Sequence, residues 1–404
     1  MNLFILSWNY LKNKPLNSVL SILLTVFGTG TITVLMLLSR QLDDKLRKDA
    51  QGIDLVVGAK GSPIQLILCN IFHVDNPTGN IKLKDAMFVM RNRMVKKAIP
   101  LALGDNYEGY RIVGTTHEYA KHYNLELAEG NLWQAPMEVT IGAEIARRNN
   151  LKVGDSFAGS HGLTPSDDVH GDHPYKVAGI FKPSHSVADR LILTNIESVW
   201  EVHDGGHSGI DTNKIDTVQK QNIDREITSL LIEFKSPIAA VNLPRMINSQ
   251  TNMQAASPAY ETVRLLKNIG VGVDALQIFA YLVIFIAALS VFIALFNALK
   301  ERRYDLAVMR MLGASQTRLF VLIILEGLLL VLIGTVAGML LGHLALQIIQ
   351  QAVEKSQQLQ LGNIYFLKEE LWILLFAPLA GIIAALIPAL SAYRLDISKV
   401  LAKE

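Results

Sequence analysis

Four apolar stretches, each long enough to cross a bilayer, constrain this chain more than anything else in it. Ser18 to Leu38 and Ile278 to Leu299 contain no charged side chain. Leu319 to Leu346 carries Glu326 and His343, and Leu371 to Leu390 is interrupted by Pro378, Gly381 and Pro388. A helix rises 1.5 Å per residue, so about 20 residues cover ~30 Å of hydrocarbon. Proline is compatible with a membrane helix when its neighbours re-satisfy the freed carbonyl, so the fourth stretch is read as a kinked span. Half of the 404 residues are hydrophobic and 18% are charged, which excludes a single soluble globule.

The distribution of charge orients the spans. Before the first, between the second and third, and after the fourth lie ten basic residues, among them Lys12, Arg302, Arg303, Arg310 and Arg318, against the acids Glu301, Asp305, Asp396 and Glu404. The positive-inside rule makes these segments cytoplasmic, both termini included, and the long stretch after the first span external. The formal net charge is only +2, and no basic surface of the kind that displaces counterions from nucleic acid is indicated. The map is an interfacial helix over 1–16, spans over 17–39, 278–299, 319–346 and 371–390, an external domain over 40–277, loops over 300–318 and 347–370, and a tail over 391–404. The first span is longer than a signal-peptide core and no A-x-A-like site follows it before Arg40, so it is expected to stay attached.

The external segment alternates short β-like runs with helical ones. Strands are expected over Ile53 to Val57, Tyr110 to Val113, Val139 to Ile141, Tyr175 to Phe181, Leu191 to Leu193 and Ser229 to Phe234. Helices are expected over Lys84 to Lys97, Glu118 to Tyr123, Ala143 to Asn150 and Pro258 to Ile269. The irregular alternation favours an α+β domain, so the fold class is a membrane protein of four transmembrane helices with a large α+β extracytoplasmic domain inserted between the first two. The single cysteine, Cys69, excludes a disulfide framework within the chain. No G-x-x-x-x-G-K-[ST] occurs, so no nucleotide is bound through a P-loop here. Leu42 to Lys48 continues the first span and the helix from Pro258 runs into the second, which predicts two stalks rising side by side.

The loop N297-A-L-K-E-R-R-Y-D-L-A-V-M-R-M-L-G-A-S315 places Leu306, Val308, Met309 and Leu312 among arginines, the pattern of a short amphipathic helix. Gly313-Ala314-Ser315 then supplies a helix stop and a serine cap for the next helix. Such a helix clamped between two spans is shaped to dock a cytosolic partner, or alternatively to anchor on anionic lipid.

The order E-R-R, A-x-x-R-x-L-G-A-S, an acid within the following span and a stripe of Gly334, Gly338 and Gly342 resembles the FtsX/MacB-type permeases of ABC transporters. The ending P388-A-L-S-A-Y-R394 is similar too, although Asp396-Ile397 stands where the family usually has Asp-Pro. The resemblance implies a homodimer resting on a separate cytosolic ATPase dimer that binds ATP and Mg²⁺, in a bacterial inner membrane, with no catalytic residue and no firmly bound cofactor in this chain. It implies that Glu301, Arg302, Arg303, Arg310, Gly313, Ala314 and Ser315 form the ATPase-coupling element, and that ATP hydrolysis is transmitted mechanically through the stalks. The spans agree, being almost devoid of the ionisable groups that a solute path would use.

Other features leave alternatives open. Glu326 is either a coupling point or a carboxyl paired near the inner interface with Arg318 or Arg310, or hydrogen-bonded to a neighbouring helix. One glycine every four residues lets helices approach closely, within one subunit or between two. Nine of the ten histidines fall in the external segment. His161, His170, Asp172, His173 and His185 are candidate Zn²⁺ ligands, the alternative being a solvated loop. G58-A-K-G-S-P reads as a turn, and Ile64, Leu66, Ile67, Leu68 and Phe72 as a surface resting on the outer leaflet or facing a substrate. The functional expectation is a permease subunit that couples ATP hydrolysis to export or extraction of a lipoprotein, lipid, peptide or small molecule, with membrane lipid and a periplasmic protein among its partners. The alternatives are an FtsX-like regulator of a periplasmic hydrolase and a metal-responsive sensor.

Overall fold

The computed structural model consists of two units. It describes residues 3–13, 15–161, 174–203, 225–357 and 366–394. One unit comprises Met1–Leu42 with Ile269–Glu404, the other Asp43–Asn268.

The first unit is helical. Helix α1 (Leu3–Asn13) precedes α2 (Pro15–Asp49), and α9 (Pro258–Glu301), α10 (Arg303–Met311), α11 (Gln316–Gln357) and α12 (Glu370–Tyr393) close the chain. Four of these, α2, α9, α11 and α12, are long and apolar enough to cross a membrane. Helices α2 and α9 extend beyond their apolar stretches into the residues of the second unit. Val291, Leu295, Leu319, Leu322, Leu330 and Ala385 form a buried cluster, and Leu3, Leu6, Tyr10 and Leu11 of α1 pack against it. The other face of α1 exposes Phe4, Ile5 and Trp8.

Between α2 and α9 the chain forms the second unit. Its strands are β1 (Leu55–Ala59), β2 (Ile81–Lys82), β3 (Val95–Tyr107), β4 (Tyr110–Gly114), β5 (Leu127–Gly130), β6 (Glu138–Ile141), β7 (Ser156–Phe157), β8 (Ser160–His161), β9 (Tyr175–Phe181), β10 (Leu191–Thr194), β11 (Glu226–Ile227), β12 (Ser229–Phe234) and β13 (Met253–Ala256). Its helices are α3 (Pro63–Asn70), α4 (Leu83–Met90), α5 (His117–His122), α6 (Ala143–Asn149), α7 (Ile196–His203) and α8 (Ala239–Gln250). Eleven strands join one sheet along the path β13-β1-β12-β3-β4-β10-β6-β9-β5, with β7 and β8 attached to β9 and β3. The pairs β4 with β10 and β6 with β9 are parallel and the others antiparallel, so the sheet is mixed. Leu55, Val57, Leu230 and Ile232 meet Leu243 and Ile247 of α8 in one core cluster. Ile112, Val139, Ile141, Val177 and Ile192 form a second with Ile145 of α6. Each fully buried Leu or Ile contributes about 1.5–3 kcal/mol.

Two expectations are corrected here. Lys84 to Lys97 is not one helix: α4 ends at Met90, and the chain enters β3 at Val95. Pairing with β12 and β4 on its two sides outweighs the local helical pattern. The segment read as an outer-leaflet or substrate surface is folded inward. Leu66, Ile67 and Phe72 are buried, and Ile64 and Leu68 half-buried. Helix α3 starts at Ser62, whose Oγ accepts from Gln65 N, and lies so close to β1 that a Cβ on Gly58 would meet Leu66 Cδ1 at 2.5 Å.

Candidate functional site

Arg302 breaks the helix between α9 and α10 with φ −101° and ψ 14°, and its side chain turns into the bundle. Its guanidinium donates to Glu326 Oε1 at 3.3 Å and to the Tyr10 carbonyl at 3.2 Å, and stacks 4.0 Å from the Tyr10 ring centroid. Arg302 is 14% and Glu326 6% exposed at the side chain. One half-buried cation thus ties α1, α11 and the start of α10 together. The partner of Glu326 is Arg302, not Arg318 or Arg310. Five planar donors suit Arg302 to serve a carboxylate, a carbonyl and a ring face at once.

Beyond Arg302, α10 and its cap bury Leu306 and Ala307 and expose Arg303, Tyr304, Met311 and Leu312, and Glu301 is exposed just before it. Leu312 is 83% exposed, and Arg310 is half-buried. The helix ends in a Schellman turn: Ala314 N donates to Met309 O and Gly313 N to Arg310 O, with Gly313 at φ +97°. Ser315 Oγ then accepts from Arg318 N and opens α11, as the sequence reading expects. The turn is a knob with an apolar tip, at which four of the seven coupling residues read from sequence lie, Arg310, Gly313, Ala314 and Ser315, while Glu301 and Arg303 stand exposed at the other end of α10. Arg302, the seventh, points inward.

The glycine stripe packs within the chain. Gly334, Gly338 and Gly342 of α11 lie against Thr25, Thr29 and Thr33 of α2, and a Cβ on Gly334 would come within 2.6 Å of Thr25 Cβ. The three threonine hydroxyls donate to Ser21 O, Thr25 O and Thr29 O at 2.8–2.9 Å, so each is paired within the close contact. The matching i, i+4 threonines were the signal available for this contact. Where α11 meets α12, His343 Nε2 lies 2.9 Å from Glu370 Oε2, a pair absent from the sequence reading.

In the second unit, the ends of both stalks lead into adjacent strands. Helix α2 is followed by β1 and α9 is preceded by β13, and these strands pair antiparallel with Val56 opposite Ala256. Of the candidate zinc ligands, His170, Asp172 and His173 lie outside the described residues, and His161 is placed by its backbone on β8 opposite Asp105. His185 has a left-handed backbone, and its N–H donates to Asp189 Oδ2 at 2.7 Å. Among the described residues no three His, Cys, Asp or Glu side chains gather as a metal site.

His73 is a buried histidine of another kind. Its Nε2 lies 3.3 Å from Tyr119 Oη and its Nδ1 has no hydrogen-bond partner among the described residues. Burial, with Arg111 and Arg190 nearby, holds its pKa well below the usual histidine range. The folded form therefore resists the proton that the unfolded form takes up near pH 6.5. Stability is full above that pH and falls as acid is added, by about 1.4 kcal/mol per pH unit while only the unfolded imidazole is charged. Thermal melting of the intact protein between pH 7.5 and 5 is expected to fall in this way. His73→Asn, which tolerates φ +55°, should flatten the profile.

A model of the MacB-like periplasmic core domain matches residues 18–243, more than half of the chain, and one of the FtsX-like permease C-terminal region matches 277–397. The chain belongs to the FtsX/MacB-type ABC transporter permeases. The permease is 24% identical over 226 residues to an uncharacterized ABC transporter permease of Methanocaldococcus jannaschii, a match covering 56% of this chain and 54% of that relative. It thus spans about half the length of that curated relative. The periplasmic region of MacB from Actinobacillus actinomycetemcomitans is similar at 14% identity and a TM-score of 0.35, covering 55% of this chain and 97% of that structure. The extracellular domain of the noncanonical ABC-type transporter YknZ from Gram-positive bacteria is similar at 11% identity and a TM-score of 0.29, covering 50% and 98%. Membership makes the second unit the large extracytoplasmic domain and the four apolar helices its membrane spans.

Proposed function

We propose that the permease couples ATP hydrolysis by a separate cytosolic ATPase to mechanical work by its extracytoplasmic domain. The observation that carries this reading is the knob at Arg303–Ser315. Its inner face is held by Leu306 and Ala307, while Met311 and Leu312 stand exposed at its C-terminal end and Arg303 at its N-terminal end. An exposed apolar tip costs solubility and contributes nothing to the bundle core, which is the profile of an interface anchor. The ATPase would bind ATP and Mg²⁺, and this chain would supply no catalytic group. Two copies of each subunit form the working assembly in this reading, in a bacterial inner membrane with both termini cytoplasmic. The positive-inside charge pattern supports that orientation. Work reaches the extracytoplasmic domain through α2 and α9, whose entry into the adjacent strands β1 and β13 joins both stalks to one edge of the sheet.

Arg303→Glu with Leu312→Asp tests the docking. Both side chains are exposed, so melting should be unchanged. Co-purification of the ATPase from the same operon or assembly should fall at least about tenfold. Undiminished co-purification would remove the knob from the interface.

A further inference from the structure

The end of α2 is fastened to the extracytoplasmic domain at a second place, distant in sequence from β1. Asp49, the last residue of α2, is buried. Its Oδ1 accepts from Val187 N at 3.1 Å, its Oδ2 lies 3.3 Å from Lys45 Nζ, and its carbonyl accepts from Tyr123 Oη at 2.9 Å. Lys48 Nζ donates to the carbonyls of Ser184 and His185 at 3.2 and 3.0 Å. The turn that receives them is already built. Asp189 accepts from Ser184 N, Ser184 Oγ and His185 N at 2.7–2.8 Å, and the chain passes directly from Arg190 into β10 in the middle of the sheet.

We infer that Asp49 is a positioning residue, the joint through which rotation or tilting of α2 moves the extracytoplasmic domain as one body. A helix joined to a sheet by one short connection can swivel on that connection. Here the connection at 50–54 leads to β1, while Asp49 and Lys48 grip the approach to β10, four strands away along the sheet path β1-β12-β3-β4-β10. Two separated attachments convert a swivel into a lever. Burial of the Asp49 carboxylate makes the grip strong, because losing it leaves Val187 N without its acceptor and Lys45 without its ion pair. The inference rests on the proposed function, since the joint has a purpose only if α2 moves.

The test uses the full-length permease with its ATPase in lipid nanodiscs. Spin labels are attached at Gln250→Cys and Lys368→Cys, both exposed positions, while the buried Cys69 does not compete for label. The label-to-label distance distribution is recorded with and without ATP and vanadate, together with the ATPase rate. The unaltered joint is expected to give a nucleotide-dependent shift. Asp49→Ala should reduce the shifted population at least about fivefold with an unchanged ATPase rate. Asp49→Asn, which keeps an acceptor for Val187 N, should restore it. If Asp49→Ala does not fold, Lys48→Met with Tyr123→Phe removes the flanking bonds and should lower the shifted population in the same sense. A full shift in Asp49→Ala, or in the Lys48 and Tyr123 pair when that is the one that folds, overturns the joint while leaving the proposed function standing. No shift in the unaltered chain overturns the proposed function, and the joint with it.

Discussion

Replacing Glu326 by leucine is expected to destabilise the permease by about 1–3 kcal/mol, because it leaves the half-buried guanidinium of Arg302 without its carboxylate. Arg302→Met should do similar damage by stranding Glu326 and freeing the Tyr10 carbonyl. The double variant is expected to lose clearly less than the two singles together, since an apolar pair of similar volume removes both charges at once. Detergent-titrated unfolding of the purified protein measures all three, and strict additivity would mean that the two groups do not interact. The same comparison separates roles. A residue of the ATPase surface should alter co-purification without altering unfolding, whereas Arg302 should alter unfolding first.

Gly338→Ala should cost about 1–3 kcal/mol through overpacking. The new Cβ would collide with Thr29 Oγ1 and come within 2.8 Å of the Val26 carbonyl, so α2 and α11 must separate along their whole line of contact. Thr29→Ala should recover only part of the loss, because the Val26 backbone remains. Gly272→Ala is the control. Nothing lies within 4 Å of a Cβ there, so the helix should gain about 0.5–1 kcal/mol from the reduced freedom of the unfolded chain. Unfolding assays in mixed micelles that showed equal effects at Gly338 and Gly272 would refute the helix contact as described.

Much of the architecture was legible because membrane spans and basic loops obey one-dimensional rules. A run of about 20 apolar residues satisfies its own backbone hydrogen bonds as a helix whatever its neighbours do. The Gly313 stop and Ser315 cap depend only on residues within one turn. The segment at 64–72 was misread because an apolar face looks the same whether a lipid or β1 covers it. The helix expected over Lys84 to Lys97 failed at Val95, where pairing with Ser229–Phe234, more than 130 residues away, decides for strand. The partner of Glu326 was left open among Arg318, Arg310 and a neighbouring helix, because the helix break that turns the more distant Arg302 inward is set by tertiary packing.

By itself the sequence determined the number of spans, the sidedness of charge, the α+β character of the inserted domain and the position of the amphipathic loop. All of these follow from local hydropathy, local charge and local turn chemistry. Only the tertiary structure decided that the glycines of α11 face the threonines of α2, that Arg302 serves Tyr10 and Glu326, that β1 lies beside β13, and that Asp49 reaches Val187. All of those contacts but Arg302 with Glu326 join residues more than a hundred positions apart, and in each of them directional hydrogen bonds and close packing select one partner among several that are chemically equivalent in sequence.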